Sequence, residues 1–176
     1  MEPMTVREAN VTSPERAAEE LLETIWAPDT WPEIPIPVNP IEIADSLDVK
    51  VYFAGLDEGV SGMLVKRVGR DAEIYINGGD SRNRQRFTCA HELGHYVKRM
   101  AIDGDGEWGF VDRRSALASQ GTDRDEIYAN RFAASLLMPK QTVLDMHDDF
   151  TVAVLAAKFG VSAEAMGFRL DSLSLR

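Results

Sequence analysis

The chain has 176 residues, of which 44% are hydrophobic and 27% are charged, and its formal net charge at pH 7 is −10. These values are typical of one soluble globular domain. The acidic charge opposes binding to nucleic-acid phosphates and to anionic lipids, so we expect neither direct DNA binding nor a membrane partner.

The N-terminal third of the sequence predicts two helices joined by an extended connector. Residues 1–12 are polar and lack a signal-peptide pattern, so we expect a flexible tail on a cytoplasmic protein. Ser13 and Pro14 are typical of an N-cap and a first helical position, and this helix should end before Pro28. The proline-rich stretch that follows favours extended chain, up to a short helix that Asn39 caps.

The middle of the chain predicts a small sheet. Three segments rich in β-branched and aromatic residues, separated by glycines, cover residues 49–53, 60–68 and 73–76. Their short connections predict a three-stranded antiparallel sheet, which needs a helix on one face to be stable. The segment 60–68 is also a candidate for pairing with an extended substrate at a sheet edge, although an ordinary sheet strand is the favoured interpretation.

Helical patterns dominate the rest of the chain, so the predicted fold class is α+β. One helix begins at Arg82, a polar glycine-rich segment covers 103–121, and a second helix runs from its N-cap Thr122 to Met138. We divide the chain into the tail, a main domain over residues 13–150, and a helical extension over 151–176 that packs on it.

His91, Glu92 and His95 form an H-E-x-x-H pattern within the first of these helices. Residues four apart share one helix face, so two imidazoles can converge on one cation. Glu92 lies beside them, where it can reach a water molecule on the metal. Two of the three histidines in the chain fall here. The alternative is an exposed helix face with two incidental histidines.

Glu126 is the best candidate for a third ligand. It continues an apolar stripe on the second helix, and a carboxylate on a buried face is costly unless a metal or a partner compensates it. Asn130, one turn later, can orient a ligand histidine, although a helix–helix hydrogen bond explains it equally well. Gly94 inside the first helix indicates close packing against another helix. The stripe comprises Ala129, Phe132, Ala133, Leu136 and Leu137.

Other residues compete for these roles with weaker support. Asp123 and Asp125 are better explained as helix-start residues, and His147 as a surface histidine. The single cysteine, Cys89, cannot form a thiolate cluster, and we expect it to be a small buried residue. Zinc fits two histidines and one carboxylate, and manganese or iron also suits this set.

Two segments resemble the ImmA/IrrE metallopeptidase family. Residues 86–95 read R-F-T-C-A-H-E-L-G-H, and residues 126–139 read E-I-Y-A-N-R-F-A-A-S-L-L-M-P. The resemblance implies a zincin-like helical core with a short helical C-terminal part. It implies the metal ligands His91, His95 and Glu126, with Glu92 as the catalytic acid and base. Many members carry a further histidine where Lys98 and Arg99 stand here.

The resemblance also implies a function, namely zinc-dependent endopeptidase cleavage of a specific cytoplasmic regulatory protein. Members often cleave an Xre-type helix-turn-helix repressor, which relieves repression. The alternative is a non-proteolytic, toxin-like or regulatory binding protein of a toxin–antitoxin pair with a structural metal. Tyr128, Arg131 and His147 are candidates for stabilising the oxyanion of the reaction, and the sequence does not choose among them.

The C-terminal extension resembles the turn of a helix-turn-helix over residues 156–166. Its second helix offers only Arg169 to a DNA duplex, so packing on the core or docking of a protein is favoured. At the start of the helix that carries His91, a basic cluster is formed by Arg82, Arg84 and Arg86, and a solvated helix start is its favoured interpretation.

Overall fold

The computed structural model describes residues 11–104, 110–115 and 124–175. Residues 1–10 of the predicted tail and the predicted cap Thr122 lie outside these ranges. The fold is α+β. Its strands are β1 (Lys50–Ala54), β2 (Val60–Lys66), β3 (Ala72–Asn77) and β4 (Phe110–Ser115). Its helices are α1 (Pro14–Leu21), α2 (Pro40–Ser46), α3 (Arg82–Asp103), α4 (Arg124–Leu137), α5 (Lys140–Met146), α6 (Val152–Phe159) and α7 (Ala163–Ser172).

The helix starts follow the predicted capping residues. Ser13 accepts a backbone hydrogen bond from the first turn of α1 at 3.3 Å, and Asn39 does the same for α2 at 3.2 Å. After α1 the chain continues as a π-helical turn, Leu22–Trp26. The indole of Trp26 then donates to the Pro35 carbonyl at 2.8 Å, which ties the proline-rich connector to this turn.

The sheet is mixed and has four strands in the order β1-β3-β2-β4, so the predicted three-stranded antiparallel sheet is wrong. β2 and β3 form an antiparallel hairpin, but β1 pairs with β3 in parallel, with Val51 opposite Ile74. Strand propensity identifies extended segments but not which strands pair. The link over residues 55–59 connects β1 to β2 across one strand position, and β3 occupies that position between them. β4 arises within the segment predicted to be irregular, because its charged residues hide the alternation that marks a strand.

β2 lies inside the sheet, with β3 on one side and β4 on the other. Both rows of its backbone groups are therefore engaged in the sheet. The favoured interpretation of residues 60–68 as an ordinary sheet strand is therefore confirmed, and the alternative of an edge that pairs with an extended substrate is wrong.

The core forms where α3 lies between the sheet and α4. α3 packs on β2 and β3, and α4 packs in turn on α3 and α1. The side chains that fill this interior are fully buried and come from the sheet and from both helices: Leu64, Ile74, Ile76, Leu93, Phe132 and Leu136. Among the helices in the described part of the chain, none has the length and apolar character needed to cross a bilayer.

The C-terminal pair, α6 and α7, joins the same core through a turn at Gly160, whose φ of 65° is left-handed. Arg86 of α3 donates to the carbonyls of Gly160 at 3.0 Å and Val38 at 2.6 Å, so its prediction as a solvated residue is wrong. Arg169 is buried and donates to the Met138 carbonyl at 3.0 Å, so it is not presented to a duplex. The likeness of this pair to a helix-turn-helix stays a prediction.

Candidate metal centre

α3 and α4 approach closely where the two histidines of α3 face α4. His91 and His95 are buried, with 0% and 4% of their surface exposed. A Cβ at Gly94 would lie 3.0 Å from Phe132 Cδ1 and 3.1 Å from Ala129 Cα, so this glycine permits the approach, as expected. The helices therefore meet at a distance at which short side chains can share one ion.

Donor atoms of three side chains converge in the space between these helices. His91 Nε2 lies 3.0 Å from His95 Nε2 and 3.4 Å from Glu126 Oε2, and His95 Nε2 lies 3.2 Å from Glu126 Oε1. Two ligand atoms on a tetrahedral zinc, with bonds of about 2.0–2.1 Å, are roughly 3.3 Å apart. The separations between these donor atoms thus match those between two ligands of one tetrahedral zinc, and three ligand side chains leave a fourth position for another ligand.

The burial and the charge of Glu126 also fit a metal ligand. The residue is 9% exposed, and its Oε2 atom accepts no hydrogen bond from the described residues. Burial alone raises the pKa of Glu126, but its contacts with His91 and His95 outweigh burial and hold the pKa well below its usual range. An anionic carboxylate is therefore buried against two imidazoles, and this donor set can hold a divalent cation. Zinc suits it, and manganese or iron is also compatible.

Asn130 contacts His91 on the ring nitrogen that faces away from the other donor atoms. Its Oδ1 lies 3.0 Å from His91 Nδ1, where it can accept the Nδ1–H hydrogen bond. With that proton on Nδ1, the Nε2 atom keeps its lone pair for a metal. Such a contact orients the ring of a ligand histidine and makes it more basic.

Glu92 follows the first histidine and is 1% exposed. Its side chain lies between α3 and the sheet. A Cβ built at Gly62 of β2 would lie 3.2 Å from Glu92 Oε1 and would overlap Thr88 Cγ2. We did not single out Gly62 from the sequence, although a glycine within a strand pattern signals close approach. Burial, aided by the charge of Glu92, raises the pKa of Cys89 to about 12, consistent with an inert thiol.

The three candidates for oxyanion stabilisation lie on α4 and just after α5. Tyr128 is buried, and burial together with the charges of acidic residues on α1 raises its pKa to about 12. Arg131 donates to Glu15 of α1 at 2.8 Å. His147 follows α5, with its Nδ1 atom 2.8 Å from the Leu144 carbonyl oxygen. Their role in stabilising an oxyanion stays a prediction.

Asp125, the competing carboxylate on α4, is engaged elsewhere. It forms ion pairs with Lys98 and Arg99 of α3. Burial raises the pKa of Asp125, but the hydrogen bond from Lys98 and the neighbouring charges lower it overall. Asp123, the other competitor, lies outside the described residues.

Comparison with known proteins agrees with this site. The family model of the M78 peptidases, described as an IrrE N-terminal-like domain, matches residues 44–171 and so spans α3 and α4. The match crosses the predicted boundary between residues 150 and 151, and the division into a domain and an extension stays a prediction. The comparison with curated proteins gives no match. The resemblance to the ImmA/IrrE metallopeptidases is confirmed, and the chain belongs to the M78 peptidase family of IrrE N-terminal-like domains.

Proposed function

We propose that the chain is a zinc-dependent endopeptidase that cleaves a specific cytoplasmic regulatory protein, an Xre-type helix-turn-helix repressor, and so relieves repression. The observation that supports it most is the convergence of His91, His95 and Glu126, whose donor atoms approach one another at 3.0–3.4 Å. Membership of a peptidase family supports the reaction class. The substrate class rests on the resemblance to ImmA/IrrE proteins.

In this proposal the two histidines and Glu126 hold the ion, and Asn130 fixes the ring of His91. A zinc ion bound there supplies Lewis acidity, which polarises a peptide carbonyl and lowers the pKa of water. Glu92 accepts a proton from the attacking water and then donates it to the nitrogen of the departing amine. The burial of Glu92 keeps bulk water from competing for this proton.

The direct test incubates the zinc-loaded chain with the product of its neighbouring regulator gene. We compare the wild type with Glu92→Gln and with Glu58→Gln, a matched change in the exposed β1–β2 loop. Wild type and Glu58→Gln should produce the same fragments. Glu92→Gln should keep its zinc but cleave about 10²–10⁴-fold more slowly, because general acid–base catalysis contributes that much. Normal zinc content with wild-type cleavage in Glu92→Gln would refute the mechanism.

The burial of the metal-binding side chains favours one alternative, a toxin-like or regulatory binding protein whose metal is structural. A chelator separates the two functions. If the metal is catalytic, the stripped chain keeps its circular dichroism spectrum and its affinity for the regulator but no longer cuts it. If the metal is structural, the stripped chain unfolds and releases the regulator, and no fragments form under any condition.

A further inference from the structure

A cavity of about 990 Å³ opens beside α4, between α1 and α7. Its volume is at the upper end of the roughly 300–1,000 Å³ that is usual for small-molecule sites. Much of its wall is apolar and comes from five separate parts of the chain: Leu22, Ile34, Phe87, Met138, Val161 and Leu173. This surface suits the body of an apolar ligand.

A buried cation, Arg169 of α7, lies on the cavity wall. Only 8% of its surface is exposed, and its Nε atom donates to the Met138 carbonyl at 3.0 Å. No carboxylate of the described residues forms an ion pair with its guanidinium. Burial lowers the pKa of Arg169, and the charge of Glu15 opposes this shift without a direct contact. A charge in such a position is costly unless an anion compensates it.

The other charges on the wall are neutralised or solvated. Arg131 is paired with Glu15 at 2.8 Å, and Arg84 is paired with Asp80 at 3.2 Å. The remaining charged residues on the wall are exposed to solvent: Glu19, Lys140 and Glu164. Among the residues that the structure describes, the buried part of the cavity therefore carries one positive charge without an ion-pair partner, although the whole chain has a net charge of −10.

Ser135 of α4 adds a second polar group. It lines the cavity and is 5% exposed, and its hydroxyl has no hydrogen-bond partner in the described part of the chain. A buried hydroxyl without a partner costs free energy that a bound ligand can recover. A guanidinium and a hydroxyl together form a donor set for a carboxylate.

We propose that this cavity binds a small apolar ligand with one carboxylate, which accepts hydrogen bonds from Arg169 and Ser135 while its body packs on the apolar wall. The carboxylate belongs either to an acyl chain or to the C-terminus of a short peptide, and both present the same chemistry. Asn130 also lines the cavity, so an occupied cavity lies one side chain from His91. The site does not depend on whether the chain cleaves peptides.

Titration calorimetry on the zinc-loaded full chain tests this with two matched pairs of probes. The acyl pair is octanoate and 1-octanol, and the peptide pair is acetyl-Phe-Leu and its C-terminal amide. At least one carboxylate should bind, one molecule per chain, about tenfold or more tighter than its neutral partner, since a charged hydrogen bond contributes that much affinity. Whichever pair responds identifies the source of the carboxylate.

Variants then assign the preference to the cavity. Arg169→Gln should bring the carboxylate and its neutral partner to nearly equal affinity, whereas Arg70→Gln, in an exposed turn, should leave the preference intact. Ser135→Ala should weaken the carboxylate alone. If Arg169→Gln does not fold, Ala165→Phe fills the cavity without removing a side-chain hydrogen bond and should abolish binding.

Four results would overturn the proposal: no binding by either carboxylate, equal binding of the neutral partners to wild type, an undiminished preference in folded Arg169→Gln, or undiminished binding to Ala165→Phe. The last result would place the carboxylate on the metal or on the outer surface. None of these results bears on the cleavage assay with Glu92→Gln, so the two proposals fail separately.

Discussion

The metal centre and the C-terminal helix pair α6–α7 are both attached to α3, but by different kinds of contact. At the metal centre, side chains of α3 meet side chains of α4, as where His91 Nδ1 lies 3.0 Å from Asn130 Oδ1. At the helix pair, side chains of α3 meet backbone carbonyls, as where Arg86 donates to Gly160 at 3.0 Å and Asn83 to Val161 at 2.9 Å.

The difference teaches what each region requires of the sequence. A contact between two side chains needs particular residues in two distant segments, and both segments are then recognisable. A contact with a backbone carbonyl needs a particular residue on one side only, since every residue has a carbonyl. We therefore expect substitutions at the metal centre to change metal affinity, and substitutions at the helix-pair contact to change stability.

Removing the carboxylate ligand should have the largest effect. In Glu126→Ala the zinc affinity should fall by more than the roughly 10–100-fold typical for loss of a supporting residue, because a direct ligand is lost. Competition with a colorimetric chelator measures the affinity. The matched control is Asp125→Ala on the preceding position, which loses ion pairs with Lys98 and Arg99 and should keep its zinc. Equal zinc loss in both variants would contradict the assignment of the ligand.

Arg86→Met should mainly destabilise the fold. It leaves the carbonyls of Gly160 and Val38 without their donor, and each buried carbonyl without a donor costs roughly 1–3 kcal/mol. The melting temperature should fall by roughly 10 °C. Arg82→Met, in the exposed first turn of α3, should change it little. Folded Arg86→Met should bind zinc like wild type, and selective loss of zinc affinity would break the contrast between the two regions.

Asn130→Ala should weaken zinc binding by roughly 10–100-fold, because His91 loses the acceptor that orients its ring. Asn130→Asp, which keeps an acceptor at this position, should retain most of the affinity. Both values come from the same chelator competition. A similar weakening in both variants would show that Asn130 acts through helix packing instead.

Gly94→Ala should have the smallest effect on stability. Alanine gains about 1 kcal/mol of helix propensity over glycine, but its Cβ would lie 3.0 Å from Phe132 Cδ1, and such overpacking costs roughly 1–3 kcal/mol. Urea unfolding should show a net loss of about 1 kcal/mol, with a weaker zinc affinity as α3 and α4 move apart. Gly55→Ala, which adds its methyl group to open space, is the control. A stabilised Gly94→Ala with unchanged zinc affinity would show that the close approach is unnecessary.

Local patterns predicted most helices and the grouping of the metal-binding residues, but not the sheet order or the cavity. The spacing of His91 and His95 places them on one helix face whatever the rest of the fold does. The parallel pairing of β1 with β3 depends on how the chain passes around the sheet, which no local pattern encodes. The sequence presented Arg169 as a residue available to a duplex, whereas it is buried. Its burial depends on where α7 packs, which the sequence pattern of α7 does not specify.

The sequence by itself determined which side chains are candidate metal ligands: two imidazoles at helical spacing with an acidic residue beside them, and a carboxylate on the apolar stripe of a second helix. It did so because helix periodicity relates position in the chain directly to direction in space. Only the tertiary structure decided that donor atoms of the three side chains approach one another at 3.0–3.4 Å and that Arg169 is buried beside a cavity. These features depend on the packing of segments far apart in the chain, where the approach of backbones and the loss of water set the distances and charges.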